Sequence, residues 1–324
     1  MIRPSIRFTS AVALVALSLS MTQAFAQTEV PAAPVAPAPA TAPVFPKPDP
    51  ANFTATTPTK ETVSSFLSAS WGYDDSRIWQ VQAILKTPVE GVAKVVVLVG
   101  DKTGKEKPAV LQFYAMADGK HIITSDQIVE FGANPFADSR AKLQEHANGP
   151  YRGAAPKDLE LVEFADFQCP HCKEAQANMD KLAVDFPKAR IVFENDPLAS
   201  FHPQSVNAAS YGVCVASLGG STAFFQFAAA VFDGQDGLAT SDGAALTLNS
   251  AATKAGLDPA KVATCAATPA TKSSVDASVK LAGDLGVTQV PMLFINGRQV
   301  PANVPYETLK KIVEYQAKMD GVAL

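Results

Sequence analysis

Two cysteines separated by two residues, in Phe164-Ala165-Asp166-Phe167-Gln168-Cys169-Pro170-His171-Cys172, carry the strongest chemical signal in the chain. An apolar run from Leu159 to Phe167 leads into them. Helical spacing starts directly after, with Met179, Leu182, Ala183 and Phe186 recurring on one face. Pro170 stands where the first helical turn should begin, a position that suits proline because its N–H would have no partner there. Cys169 therefore falls at or just before a helix N-terminus. Unpaired N–H groups and the positive end of the helix dipole favour an anion at that point. Cys169 is thus expected to ionise readily and to be both a good nucleophile and a good leaving group. Cys172, one turn further in, can close a small disulfide with it. This is the chemistry of a dithiol that cycles between reduced and oxidised forms. Haem attachment would need histidine directly after Cys172, where Lys173 stands, and a structural zinc site would want two more Cys or His ligands at short spacing. On the residues alone, metal binding and an inert structural bridge are the alternatives.

The chain around this motif has 324 residues and a net charge of −4, with no basic patch that would suit nucleic acid. Residues 1–26 read as a Sec-type bacterial export signal: Arg3 and Arg7 open it, Ala11 to Met21 is apolar but short for a bilayer, and Ala24-Phe25-Ala26 is a cleavage site. The mature protein is expected in the periplasm, an oxidising compartment. Residues 27–58, dense in Pro and Ala, read as an extended tether.

The remainder is long enough for two modest domains. Residues 59–134 read as a small α+β domain: a helix capped by Thr59 with Val63, Phe66 and Leu67 on one face, strand-like runs at 78–86, 92–99 and 109–116, and a hairpin turn at Asp118-Gly119. Trp71 and Trp79 are expected in its core, and His121 beside the turn. Residues 135–156 read as a linker helix and loop ended by Asn148-Gly149-Pro150. Residues 157–324 then give strand, active-site helix, strand, a helical insert at about 200–285, an apolar run after Val290-Pro291, an Asn296-Gly297 hairpin and a closing amphipathic helix. That order is an α/β chain of thioredoxin-like fold with an inserted helical subdomain.

The catalytic half resembles the DsbA-like thiol-disulfide oxidoreductases of the thioredoxin superfamily, from residue 157 to 320. The dipeptide Pro170-His171 is the one typical of the oxidase DsbA, and Val290-Pro291 matches the loop that in this superfamily carries a cis-proline facing the two cysteines. The resemblance implies that Pro291 brings backbone polar groups beside the Cys169 sulfur, where a substrate chain can pair as an added strand; an ordinary proline at the start of a strand is the lesser alternative. Glu163, six residues before Cys169, matches the buried acid that assists proton transfer at the second cysteine in such proteins. A carboxyl buried in so apolar a strand would hold its proton towards neutral pH, whereas a solvent-facing Glu163 would not. Asp166 is a weaker candidate for the same role and reads more readily as a surface acid near the turn. His202, in Phe201-His202-Pro203, recurs in such proteins and reads as a residue at the start of the insert rather than a catalyst. The resemblance also implies a structural disulfide between Cys214 and Cys265, closing a loop worth about 4 kcal/mol in the chain-entropy model; two buried thiols are the alternative.

The first domain more loosely resembles the dimerisation domain of the disulfide isomerases DsbC and DsbG, through Thr87-Pro88-Val89-Glu90-Gly91-Val92 and Asp118-Gly119-Lys120-His121-Ile122-Ile123. This implies a homodimer. The catalytic half departs from the isomerases, which usually have threonine where Val290 stands. The expected function is an exported, DsbA-like oxidase working on cysteine-bearing protein substrates and recycled by a membrane redox partner. A DsbC/DsbG-like isomerase, a dedicated reductase and a non-catalytic chaperone or metal-binding protein are the alternatives. No cofactor and no metal is implied, because the dithiol is itself the redox group.

Overall fold

The computed structural model describes residues 45–104, 107–125 and 128–324. The expected export signal and residues 27–44 of the Pro/Ala stretch lie outside the described residues. From residue 45 the stretch is no free tether. Phe53 forms a parallel bridge with Ile84, Ala55 N–H donates to Ile84 O at 3.0 Å, and the Lys60 ammonium sits 3.6 Å from the centre of the Phe53 ring. An apolar residue among the prolines has found a strand edge.

Helix α1 (Lys60–Trp71) starts at Thr59, whose side chain accepts the Thr62 N–H at 3.2 Å. Its inner face, Val63, Phe66 and Leu67, packs on a five-stranded antiparallel meander: β1 (Arg77–Lys86), β2 (Ala93–Asp101), β3 (Ala109–Ala115), β4 (His121–Ile123) and β5 (Ile128–Glu130). Alternation along β2 places Ala93, Val95 and Val97 in this core with Phe113 and Ile122. Trp71 and Trp79 stand edge to face at its margin, only partly buried, and His121 pairs with Asp118 at the exposed turn.

The second sheet runs β10-β9-β7-β8-β6, from β6 (Tyr151–Gly153), β7 (Glu160–Ala165), β8 (Arg190–Asn195), β9 (Met292–Ile295) and β10 (Arg298–Pro301). Strands β7 and β8 are parallel and the other pairs antiparallel. This is the thioredoxin-like order. Helices α3 (Pro170–Asp185) and α8 (Tyr306–Met319) cover one face, meeting Leu161, Ile191, Leu293 and Ile295. The other face, with Val162, Phe164, Val192 and Phe294, is covered by Leu143 and Ala147 at the end of α2 (Ala137–His146) and by Leu281 and Ala282 of α7 (Pro269–Asp284). The segment 135–156, read from the sequence as a linker, therefore belongs to the second domain: α2 roofs its sheet and β6 is its edge strand. Both are disguised, α2 by the polarity of every other face and β6 by being three residues long.

The insert comprises α4 (Ser205–Asp233), α5 (Ser241–Lys254), α6 (Pro259–Ala266) and the outward part of α7. α4 is long and apolar enough to cross a bilayer, but Gly220, at φ 75°, breaks it, and Phe224, Phe227 and Phe232 bury their rings around Phe167. Contacts of this kind are worth about 0.5–1.5 kcal/mol each beyond area burial. They fasten the insert to the residue two before Cys169.

Arg298 and Tyr315 of the second domain both reach the end of α1 in the first. Arg298, the first residue after the Asn296-Gly297 turn, donates to the carbonyls of Ala69 and, at 2.9 Å, Ser70 at the C-terminus of α1, and to Gln316 Oε1 at 2.9 Å. Its guanidinium lies 4.3 Å from the centre of the Phe136 ring, and Tyr315 OH donates to Ser68 O at 2.6 Å. The carbonyls at a helix C-terminus carry partial negative charge and suit a cation. Burial lowers the Arg298 pKa to about 10, so the charge persists at neutral pH. Gly297 is required here: it sits at φ 88°, and a Cβ would meet Phe136 O at 2.3 Å.

Candidate functional site

The apolar strand β7 ends at Ala165, and four residues later the chain turns into α3 with Cys169 as its N-cap and Pro170 in the first turn. Cys172 N–H and Lys173 N–H both donate to Cys169 O, at 3.1 and 3.2 Å. The insert holds the turn from the outside: Gln235 Nε2 donates to Phe167 O and Cys169 O, each at 2.9 Å, and Gln168 Oε1 accepts Gln204 N–H at 2.7 Å.

Cys169 and Cys172 are free thiols in this structure, and they differ sharply in acidity. The Cys169 pKa is lowered to about 6, first by the Cys172 thiol donating to its sulfur, against the opposing effect of burial. The backbone N–H groups of Cys172 and His171 and the charge of His202 add to the lowering. The Cys172 thiol is pushed far up by burial and by its neighbour's charge. One sulfur is thus a thiolate at neutral pH and the other its proton-bearing partner. Val290 and Pro291 lie opposite: the Val290–Pro291 bond is cis, and Cys169 Sγ is 4.0 Å from Val290 O.

His171 does not turn its ring to the sulfur. Its Nδ1 is 3.0 Å from Glu174 Oε2 on an exposed helical turn, and Glu174 raises its pKa. Its backbone N–H helps lower the Cys169 pKa, and the Cys169 charge adds to Glu174 in raising the pKa of its ring. Glu163 is 3% exposed. It shares its strand parity with Leu161, so it points to the α3 side, where Gln176 Nε2 donates to Oε1 at 2.9 Å and to Cys172 O at 3.2 Å. Burial raises the Glu163 pKa to about 7. Strand β7 is buried along its whole length because helices cover both faces, which is why alternation gives no side for Glu163 in the sequence.

Asp166 is not a surface acid. It is 1% exposed, its Oδ1 accepts Gln168 N–H at 2.8 Å, and its Oδ2 accepts Leu198 N–H at 2.9 Å and faces His202 Nδ1 at 2.7 Å. Its backbone N–H points at Cys172 Sγ, 3.4 Å away, and its carbonyl accepts Cys169 N–H at 3.1 Å. Sequence reasoning misplaced Asp166 and passed over Gln168, Gln176 and Gln235. Their partners lie tens of residues away, and single polar side chains leave no periodic mark. Cys214 and Cys265 are joined in a disulfide with Cα atoms 5.9 Å apart, beside Thr271, in the same apolar core as Phe167.

A family model described as Thioredoxin matches residues 145–315, more than half of the chain. Among solved structures, a thioredoxin-like oxidoreductase from Silicibacter pomeroyi is 25% identical with a TM-score of 0.47, over 55% of this chain and 98% of that one. The catalytic domain of Proteus mirabilis ScsC is 20% identical with a TM-score of 0.48, over 56% and 99%. A Na(+)/H(+) antiporter, NhaA 3 of Salinispora tropica, is 33% identical over 99 residues. That stretch is 31% of this chain and 14% of the antiporter, so the chain spans a small fraction of that relative's length.

Proposed function

The chain belongs to the thioredoxin family, and on that premise we propose that it is an exported thiol-disulfide oxidoreductase acting on cysteine-bearing proteins as a DsbA-like oxidase. The observation that carries this reading is the acidity gap across α3: a thiolate at Cys169 and a buried, protonated thiol at Cys172. In the oxidised enzyme a substrate thiolate attacks Cys169 Sγ. The Cys169–Cys172 bond breaks, and the Cys172 sulfur leaves with the electron pair and takes up a proton, for which Glu163, within charge range and with a pKa near 7, is the available donor. A second substrate thiolate then attacks the substrate sulfur of the mixed disulfide, and Cys169 leaves as a thiolate. Two electrons pass from substrate to enzyme, and a membrane redox partner would remove them. Stabilising the leaving thiolate stabilises the reduced enzyme and so makes the disulfide oxidising. Val290 O and the cis-Pro291 loop supply the edge against which the substrate backbone would lie.

The test is equilibration of the purified protein with glutathione buffers. A potential above about −150 mV is expected; one below about −250 mV, in the range of thioredoxin, would sink the oxidase reading. One observation favours isomerase activity as a second reading. Strand β4 pairs only with Tyr114 and Ala115 of β3, so the outer edge of β3 from Ala109 to Phe113 has no partner strand among the described residues, and Val110 is exposed. A second copy pairing there would give the dimer that an isomerase needs. Reactivation of a scrambled-disulfide protein by a dimeric sample would favour that reading over the oxidase.

A further inference from the structure

The turn that carries Cys169 has few supports of its own. Strand β7 ends at Ala165, α3 begins at Pro170, and a proline has no N–H with which to tie the two together. The insert supplies the ties, through an exchange of side-chain amides with the 3-10 turn Gln235–Ala239 that follows α4. Gln235 Nε2 donates to Phe167 O and to Cys169 O, each at 2.9 Å, and Gln168 Nε2 donates the other way, to Leu238 O at 3.0 Å. We propose that Gln235 is a positioning residue of the redox centre: by binding the carbonyls on both sides of Gln168 it fixes the backbone of Cys169 and so holds the sulfur at the N–H groups that open α3. The inference rests on the dithiol reading above and deepens it, because it makes the helical insert a working part of the site.

A primary amide has two N–H bonds, and Gln235 spends both on this turn. Gln235, Phe167 and Cys169 are all buried, so an unpaired carbonyl here would be costly. The Phe167 ring is already clamped among Phe224, Phe227 and Phe232. A donor shared by the Phe167 and Cys169 carbonyls removes the rotation left between that ring and the start of the helix. Cys169 sits at φ −77° and ψ 121°, an extended geometry typical of an N-cap. Its ψ angle decides where the sulfur lies relative to the N–H groups of His171 and Cys172, which belong to the helix on the far side of that bond. Turning ψ would also pull Cys169 O away from Gln235, Cys172 N–H and Lys173 N–H, which all donate to it. Gln235 therefore locks the one angle that matters most for the sulfur. Charge has no share in this. The titratable groups about Cys169 are Asp166 before the turn, His171 and Cys172 on α3, Asp196 at the end of β8 and His202 ahead of α4. Asp233 and Asp236, which flank Gln235, are exposed. Gln235 itself is neutral at every pH, so replacing it by another neutral residue acts on the sulfur through position alone.

The test is a thiolate titration of the reduced protein by ultraviolet absorbance, in wild type, in Gln235→Met, and in the double replacement Cys214→Ala and Cys265→Ala. Methionine keeps the length of the side chain but donates no hydrogen bond. The double replacement loosens the insert without touching the turn. In Gln235→Met the Cys169 titration should move up by about one pH unit, a tenfold loss of thiolate stabilisation, and the potential should fall by about 30 mV. The double replacement should titrate like wild type. If Gln235→Met also titrates like wild type, or if both proteins shift alike, Gln235 only fastens the insert and the proposal is overturned. Should either variant not fold, wild type still decides. The side-chain nitrogen resonance of Gln235 should shift over the pH range in which Cys169 titrates, and a resonance indifferent to the sulfur would overturn the proposal. The titration reads Cys169 whether or not the protein exchanges disulfides with substrates. A shift in Gln235→Met when wild type proves inert in exchange would therefore retire the oxidase reading and keep this one, while an unshifted Met variant of an active enzyme would do the reverse.

Discussion

Two pairs of cysteines share one apolar core, and their surroundings make them opposites. Cys169 caps a helix N-terminus, receives a thiol and two backbone N–H groups, and faces a cis-proline loop. Cys214 lies in the body of α4 and Cys265 in α6, bonded to each other, with the Thr271 hydroxyl as their polar neighbour. The first pair brings together groups that stabilise one ionised sulfur. The second brings together nothing that would favour either sulfur as a leaving group. Reactivity here is a property of place: the same side chain is a reagent at the start of α3 and a staple between helices of the insert.

The largest expected effect separates the two pairs by activity. Cys169→Ser should lower disulfide exchange by about a thousandfold or more, since a hydroxyl can neither attack nor be attacked as a thiolate can. The double replacement Cys214→Ala and Cys265→Ala should leave exchange near wild type. Stopped-flow exchange with a model disulfide reads both, and loss of exchange in the folded double variant would break the distinction. Stability should invert the order. Opening the Cys214–Cys265 bridge, which spans 51 residues, should lower unfolding free energy by about 4 kcal/mol or less in urea titrations, whereas Cys169→Ser, compared with the reduced protein because it can form no disulfide with Cys172, should cost less, through loss of the stabilised thiolate.

A smaller effect concerns the acid behind the reactive pair. The Glu163 pKa is raised, from 4.5 to about 7, so the unfolded chain gives up this proton before the native state does. Stability from this group is therefore full below pH 4.5 and lost as pH rises through about 7. Glu163→Gln should be more stable than wild type at pH 8 by up to roughly 3 kcal/mol, with the difference vanishing at pH 4. Equal urea midpoints at both pH values would show that Glu163 is not desolvated. The smallest effect sharpens the picture within the dithiol itself: alkylation of Cys169 by iodoacetamide should rise with a midpoint near pH 6, while Cys172 stays unlabelled. A single shared midpoint near 9 would erase the asymmetry on which the oxidase reading stands.

Much of this was legible in the chain because it is local. Pro170 after Cys169, the helical spacing behind them, the Asn296-Gly297 turn and the Thr59 cap are short-range signals, and each occupies its expected place. Glu163 was legible by position but not by side, since a strand covered on both faces has no alternation to read. The unread parts are non-local. Leu143 and Ala147 give α2 too small an apolar stripe to announce that it roofs a sheet. Asp166 and His202 stand 36 residues apart in chain and 2.7 Å apart in space, and only the fold brings them together. Gln168, Gln204 and Gln235 tie the active-site turn to the insert with neutral amides, which no composition or charge pattern distinguishes from solvent-facing glutamines.

The Arg298 anchor has a mechanical consequence. It grips the end of α1 at one end of a hairpin whose other end is Pro291, and between them lie only strand β9 and a two-residue turn. A strand of four residues in the middle of a sheet is stiff along its length. A load applied to the small domain, by a second copy at β3 or by a docked chain, would therefore reach the loop that faces the Cys169 sulfur through one tight turn and one short strand.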